Sequence, residues 1–210
     1  YAFLKRHERC TMVFDDNVIQ YTSADFPEFD WYDFYGDVQE AIPPNAPEPR
    51  GNPMQMTVFV DANHAGNLVT RRSHTGILIY CNQAPIIWYS KAQKTVETST
   101  FGSEFVALRI AVELVEALRY KLRMMGVPLD GPANLFGDNN SVITNATVPE
   151  STLKKKHNAI CYHRVREAVA AKTVRIAYIP TGQNLADMLT KSLNGCKLHE
   201  CCKKILYHMG

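Results

Sequence analysis

After residue 55 the apolar residues follow two patterns. Short continuous runs indicate strands, and longer segments with an apolar residue every three or four positions indicate helices. Short, continuous runs rich in β-branched residues are typical of buried strands. Such runs cover residues 56–61, 75–81, 85–89, 133–137 and 174–179. Short connections containing Gly66-Asn67 and Asn82-Gln83 join the first three runs, so these runs are predicted to form antiparallel hairpins.

Longer segments carry apolar residues every three or four positions, which is the period of an amphipathic helix. The clearest covers residues 101–125, where Phe101 and Phe105 begin the apolar face and Ser99 or Thr100 can cap the start. Further helices are predicted over residues 140–145, 155–171, 185–193 and 196–207. Up to the helix over residues 185–193, the order is β-β-β-α-β-α-α-β-α, which predicts an α/β fold in which helices cover a mixed five-stranded sheet.

The segment before the first predicted strand has a different composition. Residues 22–55 are acidic, aromatic and rich in proline, and prolines at this density disfavour both helices and central strands. We interpret this segment as a linker. Its aromatic residues, Trp31, Tyr32, Phe34 and Tyr35, are candidates for contacts that hold it against a neighbouring surface.

Charge divides the chain into an acidic and a basic part. Residues 1–55 carry a net charge of −6 and residues 56–210 a net charge of +8, within a total of +2. The basic part suggests an anionic partner such as nucleic acid, although many soluble domains carry such a charge. Six cysteines without a secretory signal indicate reduced intracellular thiols. No apolar run reaches the roughly 18 residues of a membrane span, and the first residue, Tyr1, suggests a piece of a longer protein.

Four acidic residues stand at the ends of predicted elements, where the neighbouring residues are apolar. Asp61 and Asp138 each end a strand. Glu104 and Asp187 each lie in the first turn of a helix, on the side that carries the apolar residues. A mixed sheet can gather all four carboxylates at one edge.

Carboxylates gathered in this way repel each other and resist ionising together unless a cation is present. Hard oxygen ligands favour Mg²⁺, with Mn²⁺ as a substitute, over zinc. Two such ions about 3.5–4 Å apart can stabilise both the attacking and the leaving oxygen of a phosphodiester. The pattern therefore suggests a metal-dependent nuclease.

Each acid also has a simpler structural explanation. Asp61 can cap the following turn, and Asp138 can begin a helix. Glu104 and Asp187 can stabilise helix dipoles, at about 0.3–1 kcal/mol each. From the spacing alone these alternatives stay open.

The C-terminal cysteines raise the question of a zinc site. Cys196, His199, Cys201 and Cys202 lie close together, but structural zinc sites usually need a second ligand pair at a distance. The cysteines also continue an apolar stripe, so a packing role is the favoured interpretation.

Seven blocks of sequence form an ordered set of motifs around these acids. They include Phe59-Val-Asp-Ala-Asn-His-Ala-Gly66, Ser99-Thr-Phe-Gly-Ser-Glu-Phe105 and Asn184-Leu-Ala-Asp-Met-Leu-Thr-Lys191. The remaining blocks cover residues 71–76, 85–91, 137–141 and 155–163. In this order the blocks resemble the ribonuclease H domains of copia-type retrotransposons. A single short match would carry little weight, whereas seven in order are specific.

The resemblance implies a ribonuclease H fold near the C-terminus of a Pol polyprotein. Residues 1–55 would then be the reverse transcriptase tail and acidic connection, residues 56–195 the ribonuclease H domain, and residues 196–210 a helical tail. The family's metal-binding and catalytic acids fall on Asp61, Glu104, Asp138 and Asp187, which would hold two Mg²⁺ ions.

The implied reaction is endonucleolytic hydrolysis of the RNA strand of RNA–DNA hybrids during reverse transcription. It leaves a 3′-hydroxyl and a 5′-phosphate. The expected partners are the hybrid and the reverse transcriptase portion of the same polyprotein, with no membrane and no small-molecule cofactor. The expected location is the cytoplasm, within a virus-like particle if the element is active.

We expect a group of basic and amide side chains to contact the nucleic acid. A run of lysines at a helix N-terminus opposes the helix dipole, so another interaction must favour it there. A solvated basic face is the alternative. The candidates are Arg71, Arg72, Asn139, Asn140, Lys154, Lys155, Lys156 and His157.

The sequence departs from the family pattern at three places. Asn63 stands where the family often has Asp, and Asn140 replaces a frequent Gln. The loop of residues 181–184 lacks the histidine that cellular relatives often carry before the last acid, which suggests modest turnover.

Three other functions remain open at this point. The chain could be a non-catalytic module that positions nucleic acid, or an inactive relic of a decayed element. It could also be another nuclease of the same fold, although the 43-residue spacing from Asp61 to Glu104 argues against an integrase, which places its glutamate last.

Overall fold

The computed structural model of the protein describes residues 5, 10–12, 14, 17, 26–153, 156–205 and 207–208. Within this part of the chain, no helix is both long and apolar enough to span a membrane. The strands are β1 Cys10–Thr11, β2 Met56–Asn63, β3 His74–Cys81, β4 Ala84–Ala92, β5 Ala133–Gly137, β6 Val174–Tyr178 and β7 Tyr207–His208. The helices are α1 Tyr32–Tyr35, α2 Thr100–Met124, α3 Asn140–Thr147, α4 Ala159–Ala170, α5 Asp187–Thr190 and α6 Gly195–Lys203.

Five strands form a mixed sheet in the order β4-β3-β2-β5-β6. The consecutive strands β2, β3 and β4 pair antiparallel, because their connections are short. The β3–β4 turn contains Asn82 at a φ of +54°, a left-handed conformation that asparagine tolerates. The pairs β2–β5 and β5–β6 are parallel, with helices in the crossovers. The predicted α/β fold with a five-stranded mixed sheet is confirmed.

The central strand β2 is buried on both faces, which is why its sequence is almost continuously apolar. Val58 and Val60 point to the side covered by α2 and α4. Phe59 points to the opposite side, where Phe136 and Leu185 also lie. Burying each such side chain contributes roughly 1.5–3 kcal/mol, so the strand that carries Asp61 is held firmly from both sides.

The long helix α2 begins and ends close to its predicted limits. The Ser99 hydroxyl caps it by accepting a hydrogen bond from the Gly102 N–H at 3.2 Å. Gly126 follows the last turn at a φ of +72°, where a residue with a side chain would be strained. Glu104 and Phe105 lie on the buried side of the first turns. The cap therefore sets the register that directs Glu104 inward.

Three predicted helices are shorter than expected. The helix predicted over residues 155–171 begins at a residue outside the described part of the chain; Lys156–Asn158 form a 3-10 turn and α4 follows it from Ala159. The Asn158 amide donates to Glu97 Oε2 at 3.1 Å. The helix predicted over residues 185–193 is reduced to α5. The helix predicted over residues 196–207 ends at Lys203, and β7 pairs instead with β1.

The acidic segment packs along the surface of the domain. Phe26 lies 5.4 Å from the Phe136 ring, centroid to centroid. Trp31 is buried, with the Arg166 guanidinium 4.8 Å from its ring centre. Tyr35 makes a hydrogen bond between its hydroxyl and His163 Nδ1 at 2.8 Å. The prediction that this segment forms no helix is wrong over α1, which precedes the proline cluster.

Glu40 fastens the same segment to α2. It accepts hydrogen bonds from Arg119 at 2.6 and 2.8 Å and from Arg123 at 2.5 Å. Arg119 is nearly inaccessible, so Glu40 supplies the opposite charge that its burial requires. Burial opposes ionisation of Glu40, yet the hydrogen bonds and charges of the two arginines lower its pKa below the usual value.

Replacing Glu40 is expected to destabilise the fold. Glu40→Gln should reduce the free energy of unfolding at pH 7 by about 2 kcal/mol, because it leaves the buried Arg119 without its counter-charge. Since the folded-state pKa is lowered, the stabilisation is complete above the unfolded pKa and is lost as the pH falls through the folded pKa. Urea denaturation at pH 7 and at pH 3 measures the difference. The exposed Glu48→Gln is the control, and equal stability of the two variants at pH 7 would contradict this role of Glu40.

Candidate active site

Three carboxylates converge at one edge of the sheet. Asp61 lies in β2 and Asp138 directly follows β5, and because these strands are parallel neighbours their C-terminal ends meet at the same edge. Glu104 reaches this edge from the second turn of α2. Each residue offers a carboxylate oxygen within 4.8 Å of the others.

The burial of these acids makes them costly to ionise together. Asp61 is 1% exposed and Glu104 is 7% exposed. Burial, together with the negative charges of Asp61 and Asp138, raises the pKa of Glu104 to about 9. Burial also raises the pKa of Asp61, although a hydrogen bond from Thr190 and the charge of Lys191 oppose this. A divalent cation would relieve both the repulsion and the lost hydration, so this all-oxygen set fits Mg²⁺ or Mn²⁺.

The segment that carries α5 approaches the sheet unusually closely beside Asp61. Gly76, opposite Asp61 in β3, makes this possible: a Cβ there would lie 2.6 Å from Thr190 Cγ2 and 2.8 Å from the Ala186 carbonyl oxygen. The Asn184 amide holds the segment by donating to the Val60 carbonyl at 2.9 Å. Asn184 thus connects the segment that carries α5 to β2.

The fourth predicted acid, Asp187, is buried nearby but points to cations. Its Oδ1 lies 2.8 Å from Lys191 Nζ and its Oδ2 lies 2.9 Å from Lys197 Nζ. Lys191 also lies 3.3 Å from Asp61 Oδ1, and the Thr190 hydroxyl donates to Asp61 Oδ2. Among the residues the structure describes, the converging group of potential metal ligands therefore contains three of the four predicted acids.

An open cleft lies in front of these acids, and two of the predicted nucleic-acid contacts line it. Asn139 also caps α3, because its side chain accepts a hydrogen bond from the Val142 N–H at 3.3 Å. Asn140 lies beside it at the mouth of the cleft. Tyr178 and Thr181, which the sequence interpretation did not select, line the same cleft.

The described basic candidates are not among the residues that line this cleft. Arg71 and Arg72 belong to the exposed loop between β2 and β3, and Arg72 lines a second cleft, which Lys191 also lines. Lys156 is exposed, and His157 Nε2 lies 3.8 Å from Glu97 Oε2. Lys154 and Lys155 are outside the described residues.

Three residues around the acids were missed by the sequence interpretation: Thr190, Lys191 and Lys197. A signal existed for Lys191, since it follows Asp187 by four residues, the spacing of side chains that meet on a helix. The contact of Lys197 depends on how α6 folds back, which no local pattern indicates. Cys201 and Cys202 are buried, and the described residues contain no converging set of ligands in this tail.

Similar sequences occur in mobile genetic elements of plants. The chain is 28% identical over 156 residues, or 74% of its length, to the retrovirus-related Pol polyprotein from transposon RE2 of Arabidopsis thaliana. It is 31% identical over 148 residues, or 70% of its length, to the retrovirus-related Pol polyprotein from transposon TNT 1-94 of Nicotiana tabacum. The chain spans 11% of the length of each of these relatives. No family model matches it.

Similar solved structures have the same architecture. LC11-RNase H1 in complex with an RNA/DNA hybrid superposes with a TM-score of 0.52 at 16% identity, covering 65% of this chain and 94% of that one. LC11-RNase H1 isolated from compost gives a TM-score of 0.51 at 16% identity, covering 65% and 92%. At sequence identities this low, the superpositions establish a common fold and not a common function. The chain is therefore a homologue of retrovirus-related Pol polyproteins from transposons, and it has the ribonuclease H fold.

Proposed function

We propose that this chain is a metal-dependent endonuclease that hydrolyses the RNA strand of RNA–DNA hybrids during transposon reverse transcription. The observation that carries the proposal is the convergence of Asp61, Glu104 and Asp138 at the C-terminal edge of the sheet. A structural neighbour, LC11-RNase H1, was solved in complex with an RNA/DNA hybrid. The ribonuclease H fold and a buried set of oxygen ligands together support this reaction over the non-catalytic alternative.

The three acids would hold the divalent cation, with Mg²⁺ as the expected ion. When bound, the ion supplies activation of water and stabilisation of negative charge on the phosphodiester. Because the pKa of Glu104 is about 9, its carboxyl carries a proton at neutral pH. It must lose this proton to serve as a metal ligand. Thr190 and Lys191 hold Asp61 in place through its two oxygens. The four-acid set expected from the sequence would also include Asp187, which is paired with lysines here.

The hybrid would lie across the open cleft in front of the acids. Asn139 and Asn140 line this cleft and are placed to contact the strand nearest the acids. Arg71, Arg72 and Lys156 are exposed and would contact phosphates farther along the duplex. The net charge of +8 over residues 56–210 favours the approach of such an anionic partner.

The natural setting of this activity would be a longer polyprotein. Residues 1–55 would join the nuclease domain, residues 56–195, to the reverse transcriptase portion, and residues 196–210 would form a tail. The packing of Trp31 and Glu40 against the domain supports a fixed orientation between the connection and the nuclease. The expected location is the cytoplasm, within a virus-like particle if the element is active.

Removing one acid of the converging group should slow cleavage strongly. Asp138→Asn is expected to slow Mg²⁺-dependent cleavage of a labelled RNA–DNA hybrid by about 100-fold or more, because it removes a charged metal ligand. The matched control is Asp130→Asn, an exposed aspartate outside the site, which should cleave like the wild type. Equal cleavage by Asp138→Asn and wild type, or none by the wild type, would overturn the proposed function.

Metal binding should release a proton at neutral pH. Because the pKa of Glu104 is about 9, its carboxyl is protonated in the metal-free protein at pH 7, and binding of Mg²⁺ should displace about one proton. The number should fall as the pH rises past 9. Calorimetric titrations in two buffers with different ionisation enthalpies measure it, with Glu113→Gln, an exposed change on the same helix, as the control. A binding heat independent of the buffer would contradict the predicted protonation of Glu104.

The lysine run should contribute to the salt dependence of binding. Replacing Lys154, Lys155 and Lys156 with Gln, in an Asp138→Asn background that prevents cleavage, should reduce the log–log salt slope by about 0.7–0.9 for each lost phosphate contact. Fluorescence anisotropy of a labelled hybrid over a range of salt concentrations measures the slope.

The matched control for this experiment replaces three exposed lysines elsewhere with Gln, namely Lys121, Lys172 and Lys203. It makes the same change in net charge, so it separates local contacts from the general attraction of a basic protein. Equal slopes for the two triple variants would show that the lysine run makes no specific phosphate contact.

A further inference from the structure

Lys191 occupies an unusual position between two buried carboxylates. Its Nζ lies 3.3 Å from Asp61 Oδ1 and 2.8 Å from Asp187 Oδ1. Each aspartate is only 1% exposed. The ammonium group therefore bridges two acids that the sequence assigned to a common metal site, and it lines the cleft beside Glu104 and Asp138.

The second oxygen of Asp187 is also occupied by a cation of the protein. Lys197, in α6, lies 2.9 Å from Asp187 Oδ2. Buried Cys201, in the same helix, packs in the cluster that contains Leu185 and Ala186, so α6 is anchored beside α5. Asp187 thus has an ammonium group on each oxygen, and the C-terminal helix takes part in the candidate site.

The position of Lys191 is set by the backbone on either side of it. The Asn63 amide donates to the Thr190 carbonyl at 3.2 Å, and the Ser90 hydroxyl donates to the Leu189 carbonyl at 2.7 Å. The backbone at Lys191 is extended, which ends α5 and turns the chain along the site. Strands β2 and β4 therefore hold the segment that delivers the ammonium group.

The formal charges around the site indicate how many metal ions it needs. Asp61, Glu104, Asp138 and Asp187 carry four negative charges when ionised, and Lys191 and Lys197 carry two positive charges. One divalent cation neutralises the remaining two negative charges. A second divalent cation would bring an excess of positive charge next to Lys191, which like-charge repulsion disfavours.

We propose that Lys191 is a built-in cation: it takes the place between Asp61 and Asp187 that a second divalent ion would otherwise occupy, so the chain alone binds one divalent ion. The inference rests on the proposed function, since Asp61, Glu104 and Asp138 are taken to bind that one ion. Lys191 is a positioning residue in this scheme. Removing its charge opens a second ion site that uses Asp187.

Counting bound Mn²⁺ tests the proposal without nucleic acid or activity. Electron paramagnetic resonance of free Mn²⁺ during titration of the intact chain should give one ion for the wild type and two for Lys191→Met. Lys197→Met is the matched control: it also removes an ammonium group from Asp187 but does not touch Asp61, and it should bind one ion. Adding Asp187→Asn to Lys191→Met should restore the count to one.

The stability of Lys191→Met gives a second measurement. In EDTA its melting temperature should lie about 5 °C below that of the wild type, since Asp61 and Asp187 lose the cation they share. Mn²⁺ should raise the melting temperature of the variant more than that of the wild type. A variant that folds only in Mn²⁺ would support the proposal in the same way.

Two Mn²⁺ ions on the wild type, none on the wild type, or a folded Lys191→Met that binds one ion would each overturn the proposal. Asp187→Asn alone keeps the test decisive if Lys191→Met does not fold at all. That change should leave the count at one, and loss of the ion would show that Asp187 is a ligand and overturn the proposal. Hybrid cleavage tests the nuclease separately: one ion without cleavage would reject the proposed function, whereas two ions with cleavage would reject only the role of Lys191.

Discussion

The structure depends on the burial of Asp61 near the end of a strand that is apolar on both faces. A carboxylate in this position loses almost all of its hydration, and its neighbours must replace what water supplied. Thr190 and Lys191 replace part of it through a hydroxyl and an ammonium group. Glu104 and Asp138, which add negative charge at the same edge, increase the demand for a cation.

The segments before and after the sheet pack against the two sides of the fold. Before the sheet, the acidic segment packs Trp31 against Arg166 of α4 and pairs Glu40 with Arg119 of α2. After the sheet, α5 and α6 cover the other face and bring lysines to Asp187. Charge complementarity operates at both places, since the acidic segment meets arginines and the buried acids meet lysines.

The site meets two opposing requirements: burying carboxylates destabilises the fold, whereas binding a metal ion needs several carboxylates together. A protein that had to hold three buried carboxylates and the half-buried Asp138 side by side without compensation would be unstable before it met a metal ion. The two lysines beside Asp187 compensate its negative charge, while the carboxylates of Asp61, Glu104 and Asp138 remain directed at the cleft. The proposed hydrolysis of nucleic acid would need oxygen ligands beside an open surface, and this division of the four acids leaves both in place.

The sequence by itself determined the order of the elements, the five-stranded mixed sheet and the location of the acids at element ends, because period, caps and turns are local properties. It also indicated the family through ordered motifs around Asp61, Glu104, Asp138 and Asp187. Local patterns overestimated three helices, such as the one predicted over residues 185–193, where α5 covers Asp187–Thr190, because apolar period alone does not fix where a helix ends. Only the tertiary structure decided that Asp187 faces Lys191 and Lys197, since the contact with Lys197 depends on how α6 folds back beside α5 and no spacing along the chain encodes that packing.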